Sequence, residues 1–381
     1  MEFPNPKYDL IMDEDLKKNK WPSHLDGKDS DIIALEVTGK REFEKYCNLK
    51  TKGGWSLARA INTGVMNPTS LIGCHAGDAE SYSLFGDVLF NKVIKRYHDG
   101  YNVTKRKHVT NINADEITTK WTAHSKEHIL SSRVRVARNI ASFPLNPTGS
   151  KESRLAICDL MERLFQNLQG GLTGKFYRHT EMSIDEQQYL VDKHYLFRGG
   201  DRMQAASGYH QHWPHGRGIF ISDSELFLVW VNEGDHLRIM SLETGADIEG
   251  VFRRLFRGVK QLEEQIKIEL AVESAFWFTP SHGHLTCCPS NLGTGMRASV
   301  HILLPNVLKL LSKADLDKIA RKYSCQVRGS FGEHSKLIDR LDISNWIRLG
   351  RSEIELVQDM ILCVNNLIEL NEYIVDSNES K

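Results

Sequence analysis

Between about residues 31 and 101 apolar positions recur at helical spacing, with Phe85, Val88, Leu89, Val93 and Ile94 on one face. This stretch predicts a small all-helical unit. Asn102 to Lys126 is polar without a sustained period and reads as a linker, and residues 1–30, mixing Pro, Asp, Lys and Gly, as a loosely ordered arm. Strand signals begin at Ile129. Ile219–Ile221 and Leu226–Val231 flank Ser222-Asp223-Ser224 as a hairpin, and Leu237–Leu242 supplies a third strand. Val251, Phe252, Leu255, Phe256, Val259 and Leu262 share a helical face. A last helix starts at a Ser352 cap and runs through Leu356, Met360, Cys363 and Leu367. The pattern predicts an α+β fold: a small all-α N-terminal domain (15–101), a linker (102–127), and a larger antiparallel sheet domain flanked by helices (128–371).

A length of 381 residues fits two unequal domains. Forty-nine basic residues balance forty-nine acidic ones, which argues against a general nucleic-acid or anionic-membrane binder. Seven scattered cysteines without a CxxC pair suggest neither a zinc site nor a disulfide framework. With no basic-then-apolar leader and no apolar run of transmembrane length, the expectation is a cytoplasmic protein with reduced thiols.

Arginines carry the first chemical signal. Arg133 and Arg135 stand two apart in SSRVRVAR, and Arg238, Arg297 and Arg328 follow in DHLRI, GMRASVH and VRGS. Residues two apart on a strand share a face, and guanidinium forks suit phosphate oxygens. Such a set can hold a nucleoside triphosphate without a glycine-rich loop. A second signal is Cys288, which precedes the Pro/Asn/Gly turn of CPSNLGTGMR. A thiol held near arginines or backbone N–H groups has a lowered pKa. A third is Glu333 in Gly332-Glu333-His334, a carboxylate able to clamp a guanidinium.

CPSNLGTGMR, with SLARAINTGV, AGDAESYSLF, SSRVRVAR, DKHYLF, WPHGRGI, LVWVNEGDHLRI and DISNWIRLG, resembles the phosphagen kinases, the ATP:guanido phosphotransferases, over nearly the whole chain. That family has the two-domain α+β architecture above, with a glutamine-synthetase-like catalytic sheet. The resemblance implies reversible transfer of the γ-phosphoryl of Mg-ATP to a small guanidine, in a monomer or homodimer. It implies that Ser132, Arg133, Arg135, His194, Arg238, Arg297, Ser299, His301, Arg328 and Gly329 bind ATP or ADP. Cys288, Glu333, Arg297 and Glu233 would act in catalysis, and Leu71, Ile72, Gly73, His75, Cys288 and Glu333 would bind the guanidine. Mg2+ would be held mainly by phosphates and water, with no protein metal site. The short loop from Asn67 to Asp78, Tyr97 and the GEH pattern at Glu333 resemble arginine kinases, which makes L-arginine the expected substrate over taurocyamine, lombricine or creatine. A protein-arginine kinase of the bacterial type fits poorly, because the helical domain and short loop serve small guanidines.

Two departures from the family pattern stand out. Its N-E-E-D-H is here Asn232-Glu233-Gly234-Asp235-His236, so the second carboxylate, a substrate-binding catalytic group, is missing. Adjacent residues at this strand end face opposite sides, so Glu233 would face the wrong side unless Gly234 allows a bulge that re-aims it. Arg59 stands where relatives have an aspartate that pairs across the domains with an arginine like Arg202, which predicts weaker closure. Phe331 replaces an arginine of arginine kinases. These departures motivate an alternative: a catalytically weakened relative that binds nucleotide or serves as a partner subunit.

Overall fold

The computed structural model describes residues 9–329 and 340–379, with side chains to residue 374. Its N-terminal part is helical, with Ile33–Tyr46, Leu57–Met66 and Asn91–Tyr97 as main helices. Their apolar stripes close on Phe43, Leu57, Ile61, Phe85, Leu89 and Ile94, all fully buried. The described part of the arm is tied down, contrary to expectation. Asp13 caps a short helix, Glu14–Lys17, whose Leu16 is buried. The Asn62 amide donates to the Ile11 carbonyl (2.9 Å) and accepts from the Asp13 N–H (3.1 Å). These contacts oppose the entropy of a free terminus.

The larger part is built on a sheet. Its strands are β1 (Ile129–Arg138), β2 (Gly174–Arg178), β3 (Gly218–Ser222), β4 (Phe227–Val231) and β5 (Leu237–Thr244). After a small hairpin of β6 (Phe278–Thr279) and β7 (Gly283–His284) come β8 (Met296–Leu303), β9 (Cys325–Gly329) and β10 (Arg340–Asn345). The eight-stranded order is β2-β3-β4-β5-β1-β8-β10-β9. Every neighbouring pair is antiparallel. The expected hairpin is β3–β4 and the expected third strand is β5.

Cross-strand partners share a face. One face presents Val134, Val136, Ile239, Ala298, Val300, Ile302 and Ile343, all buried. It packs on helix Ile248–Leu270 through Val251, Phe252, Leu255 and Val259, and on helix Glu353–Glu379 through Leu356, Met360, Val364 and Leu367. At roughly 1.5–3 kcal/mol per fully buried large apolar side chain, this face supplies the main stabilisation of the sheet. The other face is left for charge. A second apolar cluster crosses between the two parts: Leu145, Tyr209, Leu285, Cys287, Leu292 and Leu349 join Trp55, Tyr82 and the rest of the helical core.

One carboxylate is buried behind the sheet. Glu353 opens the final helix, is fully buried, and accepts a hydrogen bond from the Asn111 N–H (2.8 Å) through Oε2. Its Oε1 finds no partner among the described residues, and burial raises the acid from 4.5 to about 7. The folded state therefore binds the proton more tightly than the unfolded chain does. Glu353 contributes stability below about pH 4.5 that is lost as pH rises through about 7. Glu353→Gln keeps the acceptor for Asn111, so it is expected to flatten that loss. Denaturant unfolding at pH 5 and pH 8 should show the variant gaining on the wild type at the higher pH; an equal difference at both would contradict the assignment.

Candidate active site

Strand register assembles the charged face. Arg135 pairs with Arg297 and Arg133 with Ser299 across β1–β8, while Arg238 on β5 pairs with Ala137 of β1. His301 pairs with Ser131 of β1 and with Asp342 of β10, and Asp342 pairs in turn with Arg328 of β9. All these positions share one parity. Five arginines separated by up to 195 residues of sequence therefore stand on one face, on four of five adjacent strands, with Asp342 on the fifth.

Such a face repels itself. Arg297 is relieved by Asp342 (2.6 Å) and Arg238 by Glu233 (2.8 Å), the latter also lying over the Trp230 ring at 5.3 Å. Among the described residues no carboxylate pairs with Arg133 or Arg135. Among the described residues the acceptor for Arg133 is the Met240 sulfur at 2.8 Å. Burial, then the neighbouring guanidiniums, lowers Arg133 to about 10 and Arg135 well below the usual arginine value. Arg133 remains cationic at neutral pH. Converging, partly desolvated cations of this kind are satisfied by a polyanion.

Two cavities flank the row. The first, about 400 Å³, is lined by Arg133, His194, Ser299, His301 and Trp230. His194 follows helix Ile184–Asp192 in the left-handed conformation (φ 58°). His301 Nδ1 lies 3.1 Å from Ser131 Oγ, and burial holds its pKa below 6.5. Ser132 differs from its neighbours: its hydroxyl is on the core face, fully buried, and donates to the Gly245 carbonyl at 2.8 Å. Only its backbone is available to a nucleotide. Gly329 pairs with Leu341, out of parity with Arg328, and likewise offers only backbone.

The second cavity, about 610 Å³, lies between the helical part and the sheet, and Leu71, Ile72, His75, Tyr97, Glu233, Arg238, Cys288 and Arg328 line it. The segment 71–73 is fastened by its carbonyls, which accept from the N–H groups of Ile33 (3.0 Å), Ala34 (3.0 Å) and Gly64 (2.9 Å). Gly73 is required there. Its φ is 74°, and a Cβ would sit 2.1 Å from Ile32 Cγ2. His75 is buried and bonded to Thr63 Oγ1 (2.8 Å), and burial lowers its pKa to about 3, so it is a neutral wall residue.

The helical domain sets the cysteine turn. The Ala76 N–H donates to the Cys287 carbonyl (2.8 Å), the Tyr82 hydroxyl to the Thr286 carbonyl (2.6 Å), and His98 Nε2 to the Pro289 carbonyl (2.9 Å). Cys288 Sγ lies 3.1 Å from Ser290 Oγ. The expected lowering of its pKa does not occur here. Burial dominates and pushes the thiol above 9.0, with Ser290 opposing. Arginines lower a thiol only where their charge outweighs its desolvation.

Two departures take a different form from that expected. Residues 232–236 are not strand but a bend between β4 and β5, with Asn232 at φ 56°. Strand alternation does not apply, and Glu233 lines the cavity, bonded to Arg238 and to the Gly234 N–H (2.6 Å). At Gly234 itself the nearest atoms to a Cβ belong to Tyr209, the closest at 3.5 Å, so a Cβ makes ordinary contact there. Arg59 is engaged by groups other than the expected charge partner. It lies over the Trp55 ring (4.7 Å) and donates across the domains to the Pro147 carbonyl (3.3 Å). Glu333 and Phe331 lie outside the described residues.

Residues that drew no role from the sequence complete the frame. Asp235, buried, accepts from the Asn139 amide (2.7 Å) and the Cys287 N–H (2.8 Å), tying the Glu233 bend to the cysteine turn. Arg348 donates to the carbonyls of Met296 (3.0 Å) and Ser290. Both lie in the quoted motifs, which was their only signal. Among the described residues no group of His, Cys, Asp and Glu could hold a metal, and no helix is long and apolar enough to cross a membrane.

Comparison with known proteins agrees with this geometry. Residues 156–374 match the ATP:guanido phosphotransferase C-terminal catalytic domain, and residues 38–95 match the N-terminal domain of the same family. An arginine kinase of Anthopleura japonica is 42% identical over 93% of the chain. The chain spans about half of that relative's length (49%). An arginine kinase of Liolophura japonica is 40% identical over 92% of the chain and 97% of its own length. A lombricine kinase crystal structure superposes with TM-score 0.84 at 29% identity, covering 96% of this chain and 97% of that one. The substrate-free taurocyamine kinase of Schistosoma mansoni superposes with TM-score 0.82 at 31% identity, covering 95% of this chain and 49% of that one.

Two outcomes are expected from the site's electrostatics. Arg135→Met should stabilise the nucleotide-free protein by about 1 kcal/mol, since replacing a half-buried charge that no carboxylate compensates among the described residues by an apolar group is often favourable. The same variant should lose most of the wild type's gain in melting temperature on adding Mg-ATP; thermal unfolding with and without nucleotide checks both signs. Alkylation of Cys288 in the nucleotide-free protein should accelerate about tenfold per pH unit from pH 7 to the ordinary thiol value of 9.0 without levelling. A plateau below pH 8 would show a thiolate already formed.

Proposed function

This chain belongs to the ATP:guanido phosphotransferase family, and on that premise we propose that it transfers the γ-phosphoryl group of Mg-ATP reversibly to L-arginine, buffering ATP. The observation that carries the reading is the one-faced arginine row, part of it without carboxylate partners among the described residues, running between two cavities. The first cavity suits the nucleoside, with His194 and His301, and the row suits its phosphates. The second suits a guanidine, with Cys288 and Glu233 at its floor.

In this reaction the guanidino nitrogen forms a bond to the γ-phosphorus while the bond from phosphorus to the bridging oxygen breaks. ADP leaves, and the nitrogen releases a proton. Charge on the transferring group spreads over its equatorial oxygens, where guanidiniums fixed by strand register stabilise it without reorganising. Mg2+, when bound through phosphates and water, neutralises further charge there. The Cys288 sulfur and the Glu233 carboxylate orient the guanidinium, and Glu333 supplies a second carboxylate from its own segment. Alignment of this kind is worth roughly 7–11 kcal/mol in favourable cases. The arginine-kinase relatives and the short segment 67–78 support arginine; the lombricine and taurocyamine kinase neighbours define the competing guanidines.

A second reading is a weakened kinase that mainly binds nucleotide. It is favoured by the absence of a carboxylate at Gly234 and by the engagement of Glu233 with Arg238. A coupled assay with Mg-ATP and arginine, lombricine, taurocyamine and creatine tests both. Turnover is expected with arginine above the others; no turnover with any of them refutes the first reading. Gly234→Glu, whose Cβ meets nothing closer than Tyr209 at 3.5 Å, should raise kcat at least tenfold under the second reading and leave it within about threefold under the first.

A further inference from the structure

The guanidine cavity is charged at its mouth as well as its floor. Cys288 and Glu233 lie deep, Glu233 being only 9% exposed, whereas Leu71 (46%) and Met203 (41%) mark the opening to solvent. Asp201 and Arg202 line the same cavity beside Met203. Neither has an ion-pair partner among the described residues, although the chain is otherwise rich in surface pairs. Arg59 cannot pair with Arg202 and is committed to the Pro147 carbonyl. Asp201 is bonded only at the helix start, where it accepts from the Gln204 N–H (2.7 Å). Although Asp201 is exposed, desolvation by the surrounding cavity, opposed by that capping and reinforced by Glu233, pushes its acid upward.

A guanidine whose head lies against Cys288 extends its tail to this mouth. There it meets one anion and one cation, adjacent in sequence and without ion-pair partners among the described residues. We infer that Asp201 and Arg202 read the amino-acid end of the substrate, Asp201 taking an ammonium group and Arg202 a carboxylate. The inference rests on the guanidine-kinase reading and deepens it. It makes the cavity selective for a zwitterionic tail over guanidines that carry an anion alone.

Three compounds separate the two charges: arginine, agmatine (ammonium without carboxylate) and 5-guanidinopentanoate (carboxylate without ammonium). Asp201→Asn retains the helix cap, since Asn and Asp cap equally well. It should weaken arginine and agmatine about tenfold and leave 5-guanidinopentanoate unchanged. Arg202→Gln should weaken arginine and 5-guanidinopentanoate about tenfold and leave agmatine unchanged. Affinities are read as KM, or as Ki against arginine where an analogue is not turned over. Any pattern other than this crossed one overturns the inference, including a uniform change in both analogues, which is what a cap or folding defect would give. Should the wild type turn over no guanidine, the kinase reading fails by itself. Calorimetric titration of the same three compounds in the presence of Mg-ADP then decides whether the mouth still discriminates.

Discussion

Guanidiniums crowded on one side of a sheet push one another apart, and the rest of the molecule is arranged to resist that push. Arg133 and Arg135 lack carboxylate partners among the described residues, and Arg238 and Arg297 are only partly relieved by Glu233 and Asp342. What keeps the strands together is behind them: Val134, Val136, Ile239, Val300 and Ile343 locked against two long helices. The apolar face is therefore more than a stability device. It sustains a concentration of positive charge that would otherwise separate the strands, and binding an anion returns part of that cost.

Much of the architecture was legible because its signals are local. Period-two runs announced β3, β4 and β5, and the amphipathic stripe of Ile248–Leu270 was continuous. Arg133 and Arg135 could be placed on one face from their spacing alone. That Arg238, Arg297 and Arg328 join them depends on cross-strand register between segments up to about 200 residues apart, which no local pattern encodes. Ser132 shows the limit from the other side: a residue inside a binding motif contributes only its backbone when strand parity turns its side chain to the core.

The bend at 232–236 was hidden for a different reason. Its flanks read as strand, and the left-handed Asn232 that breaks alternation leaves little trace in composition, although Asn is among the residues that tolerate it. Arg59 was read by matching charge with charge. Its actual partner is a backbone carbonyl, a large dipole that sequence comparison does not display. In both cases the carrier of the interaction is main chain.

The cysteine turn is the feature with the widest reach. Cys287 and Leu292 sit in the apolar cluster of the helical domain, and that domain's Ala76, Tyr82 and His98 hold the carbonyls around it. The thiol thus belongs by sequence to one half of the molecule and by packing to the other. A chimera that swaps helical halves between relatives would inherit foreign contours beneath its own sulfur, so the natural unit of recombination is the helical half together with residues 285–292.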